Sequence, residues 1–246
     1  MKQLLIYDQP IVLNRVQHRH LRIKPALTDF NFARAVNSLP LTTPEFADAA
    51  RDYPIVFAGE PANASMPAAL FGLSHEDNLF IQDDGNWAPG AYVPAFVRRY
   101  PFVVANQDAS SEFAVCIDQS FVCEDRDGVA LFDESGADTP ALKRALGFLA
   151  DYQQAVQRTQ AFMQQLRDSK LLIAKTIQVE RAGGTKSSLN GFCVVDEMRL
   201  QKLGSRALEK LSRTGALGLL YVHLMSLTNV QRLSVRMDAR SSTPLH

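Results

Sequence analysis

Cysteine is scarce in this chain of 246 residues. Cys116, Cys123 and Cys193 are an odd number with no Cys-x-x-Cys spacing, which excludes a paired disulfide framework and fits a reducing compartment. Cys116 in E-F-A-V-C-I-D and Cys193 in G-F-C-V-V-D read as small core hydrophobes, because burial raises a thiol's pKa and makes it inert. Long apolar runs are missing too. The longest, Gly215 to Leu227, falls short of the roughly 20 residues that cross a bilayer, so it reads as a core helix and no membrane span is predicted. Met1 to Asp8 offers only a short apolar patch before a charge, too little for a secretory h-region, and the expected location is the cytoplasm. There is no serine elbow, no Cys–His arrangement and no recognisable pair of catalytic carboxylates, so no nucleophilic mechanism is favoured and no motif calls for a cofactor.

Net charge is absent overall but not locally. Residues 1–138 hold 10 basic and 19 acidic side chains, net −9, whereas 139–246 hold 16 and 7, net +9. Such a split serves layers that attract within one fold, head-to-tail association of subunits as a homo-oligomer, or a basic face turned to an acidic partner. Nucleic acid is not expected, since the cations are spread singly and no recognised binding module accompanies them.

A hydrophobic content of 46% permits a sizeable core. No repeat and no long linker divides the chain, so one composite domain is expected, with an acidic β-rich part at 1–138 and a basic helical part at 139–246. The predicted class is α+β, an antiparallel-rich sheet from the N-terminal half packed with long helices from the C-terminal half. Expected strands are 10–14, 53–58, 69–73, 78–82, 102–106, 113–118 and 129–132, with hairpin turns at Asp84-Gly85 and Asp127-Gly128. Thr43-Pro44-Glu45 opens a short helix. Thr139-Pro140 starts a long one to about Asp168, whose stripe Leu142, Ala145, Leu149, Tyr152, Val156, Thr159, Met163 and Leu166 suits packing on a sheet or a seam between subunits. Strands at 171–179 and 192–195 follow, then helices over 197–211 and 216–232.

Three constellations invite chemistry. Gly183-Gly184-Thr185-Lys186-Ser187 resembles a phosphate loop but lacks the opening glycine and precedes a strand, so it reads as a connecting loop. His18 and His20 share a face if their segment is extended, and with His75 and Glu76 they would form the ligand set of a metal-dependent enzyme. His223, inside an apolar run, reads as a satisfied core histidine.

The densest signal is W-A-P-G-A-Y-V-P-A-F-V-R-R-Y-P-F from Trp87 to Phe102. A short helix begun near Val93-Pro94 and stopped by Pro101 would display Tyr92, Phe96, Arg99 and Tyr100 on neighbouring turns. Arginine forks clamp anions and aromatic rings supply stacking faces, so Trp87, Tyr92, Arg98, Arg99 and Tyr100 are the candidate ligand-binding set for a protein partner or a small anionic ligand. The plain alternative is that the aromatics anchor a loop and the arginines pair with nearby acids.

D-Y-P-I-V-F from Asp52, N-L-F-I-Q-D-D-G-N-W from Asn78 and Y-V-P-A-F-V-R-R-Y-P-F from Tyr92 resemble the SapC family of bacterial proteins. The C-terminal half agrees, with T-x-x-F-x-x-x-L from Thr159, D-E-x-x-L from Asp196 and G-A-L-G-L-L-Y-V-H-L-M-S-L from Gly215. The resemblance covers nearly the whole chain and carries no catalytic residues. It implies association with surface layers, from which the family takes its name, or an accessory role beside TonB-dependent receptors and halogenase-like proteins in nutrient uptake or metabolite modification. A non-catalytic binding or assembly protein is the leading expectation; a metal-dependent enzyme and a self-assembling structural protein are the alternatives.

Overall fold

The computed structural model describes residues 5–24, 29–74, 77–106, 113–123, 128–180 and 186–241. Within them the strands are β1 (Pro10–Val12), β2 (Arg22–Ile23), β3 (Ser38–Pro40), β4 (Ile55–Ala58), β5 (Pro67–Leu70), β6 (Phe102–Asn106), β7 (Phe113–Asp118), β8 (Val122–Cys123), β9 (Val129–Ala130), β10 (Leu172–Glu180) and β11 (Lys186–Val195). The α-helices are α1 (Phe46–Ala49), α2 (Ala95–Arg98), α3 (Pro140–Asp168), α4 (Glu197–Gln201), α5 (Ser205–Arg213), α6 (Ala216–Ser226) and α7 (Asn229–Ser241). The class is α+β, and every strand pairing among these residues is antiparallel.

The main sheet runs β10-β11-β4-β5-β3, so its two longest strands come from the basic half, not from the acidic half alone. Smaller sheets, β1-β7-β6 and β8-β2-β9, stand beside it. Helix α3 bridges the cores under them. Its first turns bury Leu142 and Leu149 with Phe102, Ile117 and Leu131, and its later turns bury Phe162, Met163 and Leu166 in the larger core. The apolar stripe is thus spent inside the chain. The helix begins where expected because the Thr139 hydroxyl accepts the Leu142 N–H at 3.3 Å and Pro140 takes the first helical position.

Several expectations need correction. Residues 78–82 are not a strand. The Asn78 amide donates to the Ala33 carbonyl and its oxygen accepts the Phe80 N–H, local bonds that divert the backbone from a ladder. Only an Ile81–Trp87 bridge remains, closed by the Asp84-Gly85 turn with Gly85 at φ +83°. Asp127 of the second expected turn lies outside the described residues.

The helix over 197–211 is two helices, because Gly204 takes an extended conformation as the N-cap of α5. The helix over 216–232 also divides, at 227–228, and its second part runs on to Ser241. Polar side chains set that break. Ser226 accepts the Ile55 N–H at 2.9 Å, and Asn229 donates to the carbonyls of Ala50 and Tyr53, so both are held by the acidic half at the corner. The loop expected after 179 is shorter than predicted, since Lys186 and Ser187 already pair with Glu180 and Val179 in the β10–β11 hairpin; Gly183, Gly184 and Thr185 lie outside the described residues.

Among the described residues Arg240–Asp77, at 3.3 Å, is an ion pair that joins the acidic and basic halves, while Arg232 and Arg167 reach across to the backbone carbonyls of Arg51 and Ala64.

Candidate functional site

Construction around Trp87–Tyr100 starts from a buried acid. Thr42, Pro44 and Glu45 form a capping box, in which one Glu45 oxygen accepts the Thr42 N–H at 2.9 Å and the Thr42 hydroxyl at 2.7 Å. Its other oxygen accepts the Tyr92 hydroxyl at 3.0 Å and the Ala95 N–H at 2.6 Å. A carboxylate only 6% exposed is thereby satisfied by four donors, and it ties the helical turn Thr43–Glu45 to the N-terminus of α2.

Helix α2 then projects its arginines onto α3. The Arg98 guanidinium stacks between the rings of Tyr92 and Phe148, at 5.6 and 5.3 Å, and donates to the Tyr92 hydroxyl. Arg99 sits over Phe96 at 4.0 Å, Tyr152 at 4.9 Å and Tyr7 at 5.6 Å. Its Nε is buried and has no hydrogen-bond partner among the described residues. Phe148 and Tyr152 are one turn apart on α3, so neighbouring arginines clamp neighbouring turns. Neither arginine forms an ion pair with an acid among the described residues; aromatic faces take the place of the expected carboxylates.

Burial, opposed by Arg99, pushes the Tyr152 hydroxyl up to about 12. Burial and the Glu45 carboxylate, partly offset by Arg98, do the same for Tyr92. Neither phenol is poised as a base at neutral pH.

Of the five candidate residues, Tyr92, Arg98 and Arg99 come together, while Trp87 and Tyr100 point into the core. Trp87 donates to the Tyr53 hydroxyl at 3.0 Å and packs edge-on against Phe30 and Phe71. Tyr100 stacks on Phe32 at 3.9 Å and precedes a cis peptide bond to Pro101. Sequence reasoning missed Phe148, Tyr152 and Tyr7 as partners of the arginines, and Glu45 as the acid that holds Tyr92 and Ala95. Only Glu45 had a local signal, the T-x-x-E spacing of a capping box.

His18 and His20 are not aligned as expected. Residues 15–20 form turns rather than the extended segment that would align His18 with His20, and His18 Nδ1 accepts the Asn14 N–H at 2.9 Å. His20 borders a cleft with Arg19, Arg22, Asp133 and Glu134. His75 and Glu76 lie outside the described residues, among which no three His, Cys, Asp or Glu side chains converge as metal ligands. Two other acids resemble Glu45 in being taken up by turns: Asp118 accepts the backbone N–H groups of Asp8, Gln9 and Ser120, and Asp133 those of Ser135 and Ala137.

None of four well-formed surface clefts among the described residues is lined by Trp87, Tyr92, Arg98, Arg99 or Tyr100. Three have charged or mixed walls. The fourth, of about 480 Å³, is the most apolar and lies along β10, floored by Ile173, Phe192 and Val194 and walled by Leu224, Leu227 and Val230. Met198 stands at its rim 66% exposed, with Lys175 and Glu197 on the same margin.

No helix among the described residues is long and apolar enough to cross a membrane. Comparison with the curated proteins and with the solved structures finds no match. The SapC family model matches residues 13–233, a span that contains the capping acid, both clamp arginines and the apolar groove, and the chain belongs to the SapC family.

Proposed function

We propose that this protein is a non-catalytic binding or assembly protein of the reducing cytoplasm, and that its contact surface is the apolar groove along β10 rather than the Trp87–Tyr100 run. The observation that carries this reading is the coincidence of an apolar channel with a sheet edge that, among the described residues, no strand covers. An extended polypeptide satisfies both at once: its backbone completes the edge and its alternate side chains enter the channel. The arginine clamp then serves as scaffold, holding α2 to α3. The buried acids Glu45 and Asp118 accept N–H donors, and the three cysteines carry no disulfide. An accessory role, delivering or docking another protein, suits such a surface.

Selection of a random decapeptide display library against nanomolar protein tests it. Peptides alternating apolar and polar residues should be recovered and should lose at least tenfold in affinity on Leu227→Arg, a half-buried wall position. Recovery of none, or of peptides indifferent to that change, would overturn the reading.

A further inference from the structure

We infer that the occupant of the β10 edge is a second copy of this chain, paired β10 to β10 about a two-fold axis; this rests on the groove being a contact surface. Of the main sheet's two edges, β3 is three residues long and ends in Pro40, a guarded edge. The β10 edge is nine residues long, contains no proline, and exposes Ala174, Lys175, Thr176 and Gln178. A strand is antiparallel to its own two-fold mate, so an edge of this kind is self-complementary by construction, and closed two-fold dimers are the commonest oligomers.

Charge selects the partner. Lys175 and Glu197 line the same groove, both exposed, and neither has an ion-pair partner among the described residues. The other rim acid, Asp196, is already held by Arg199 at 3.0 Å. Pairing centred on Lys175 would set the two lysines face to face. An axis near Ala174 instead lays Lys175 opposite Ile173 of the mate, at the end where β11 passes into α4 and Glu197 begins that helix. Neighbouring strands lie about 4.8 Å apart, so a lysine reaching along the mate's groove floor spans the two strands to Glu197, and symmetry makes the contact twice. Met198 is covered in the same step. Lys175 and the irregularity between Lys175 and Ile177 also guard the edge against indiscriminate strands, since a buried lysine is tolerated only where an anion meets it.

Sedimentation over a wide concentration range decides. Wild type should dimerise, with slower hydrogen exchange along β10 as concentration rises. Lys175→Glu and Glu197→Lys should each weaken the dimer about tenfold or more, and the double variant should restore it, because the swapped charges meet again across the axis. Circular dichroism of each variant checks that the monomer is intact. A wild type that stays monomeric, or a dimer indifferent to the charges or not rescued by the swap, overturns the inference. A monomer that still selects groove-binding peptides would leave the binding reading standing, and one that selects none would remove both.

Discussion

His223 Nδ1 lies 2.8 Å from the carbonyl oxygen of Ile55, while the Val195 N–H donates to Nε2 of the same ring at 3.1 Å. Since a backbone N–H can only donate, Nε2 is the bare nitrogen and Nδ1–H donates to Ile55. The ring thus replaces ladder bonds where β4 and β11, paired only at Ala58–Phe192 and Phe57–Cys193, draw apart. Burial, opposed by the bond to Ile55, lowers its pKa from 6.5 to about 4. A group whose folded pKa is depressed binds its proton first in the unfolded chain. Its contribution is complete above pH ~6.5 and falls as pH drops towards 4, by on the order of 3 kcal/mol. Urea unfolding at a series of pH values should show this loss, and His223→Gln should flatten it. His223→Ala should cost about 3–5 kcal/mol at pH 7, through a cavity and two stranded backbone groups.

Glu45→Gln keeps the shape of the side chain but puts an amide donor where donors already converge. With two of its four bonds opposed, the variant should lose about 2 kcal/mol, and Glu45→Ala more, in chemical denaturation at neutral pH.

Arg98 and Arg99 are adjacent but unequal. Arg99→Ala removes a cation from three aromatic faces and should cost about 1–3 kcal/mol, whereas Arg98→Ala, at an exposed position, should cost under about 1 kcal/mol. Paired denaturation curves check the ranking, and equal losses would contradict it.

How much of this was legible follows from where each signal lies. The start of α3 was readable because Thr139, Pro140 and a regular stripe are contiguous. Residues 78–82 misled because the competitor for the Asn78 backbone was the Asn78 side chain itself, invisible to an alternation pattern. The corner between α6 and α7 was hidden because Ser226 and Asn229 look like breaks in periodicity until Ile55 and Tyr53 are brought to them. The arginine clamp was half visible: the cations stood out, but Tyr7, Phe148 and Tyr152 are distant in the chain and nothing local marks them as partners. The groove, drawn from β4, β10, β11, α4, α6 and α7, exists only after folding.

Thiol reactivity should separate the three cysteines. Cys193 is buried, donates to the Gly59 carbonyl at 2.9 Å, and is pushed up to about 11 by burial and by Glu60; burial also raises Cys116. In native protein at pH 8 an aromatic disulfide reagent should modify Cys123, which is only half-buried, well before the other two, and all three should react at one rate in denaturant. Rapid native labelling of Cys193 would show that the central sheet opens.

Because β4 takes β11 as its neighbour, the middle of the main sheet joins residues 134 positions apart, as the Cys193–Gly59 bond shows. A ribosome that has released the acidic half has yet to make the strand lying against Phe57 and the histidine that holds Ile55. Until both emerge, β4 presents a bare apolar flank. The −9 and +9 halves therefore both lend strands to the main sheet, and cutting the gene between them should yield two fragments that complement each other by sharing that sheet and the α3 packing.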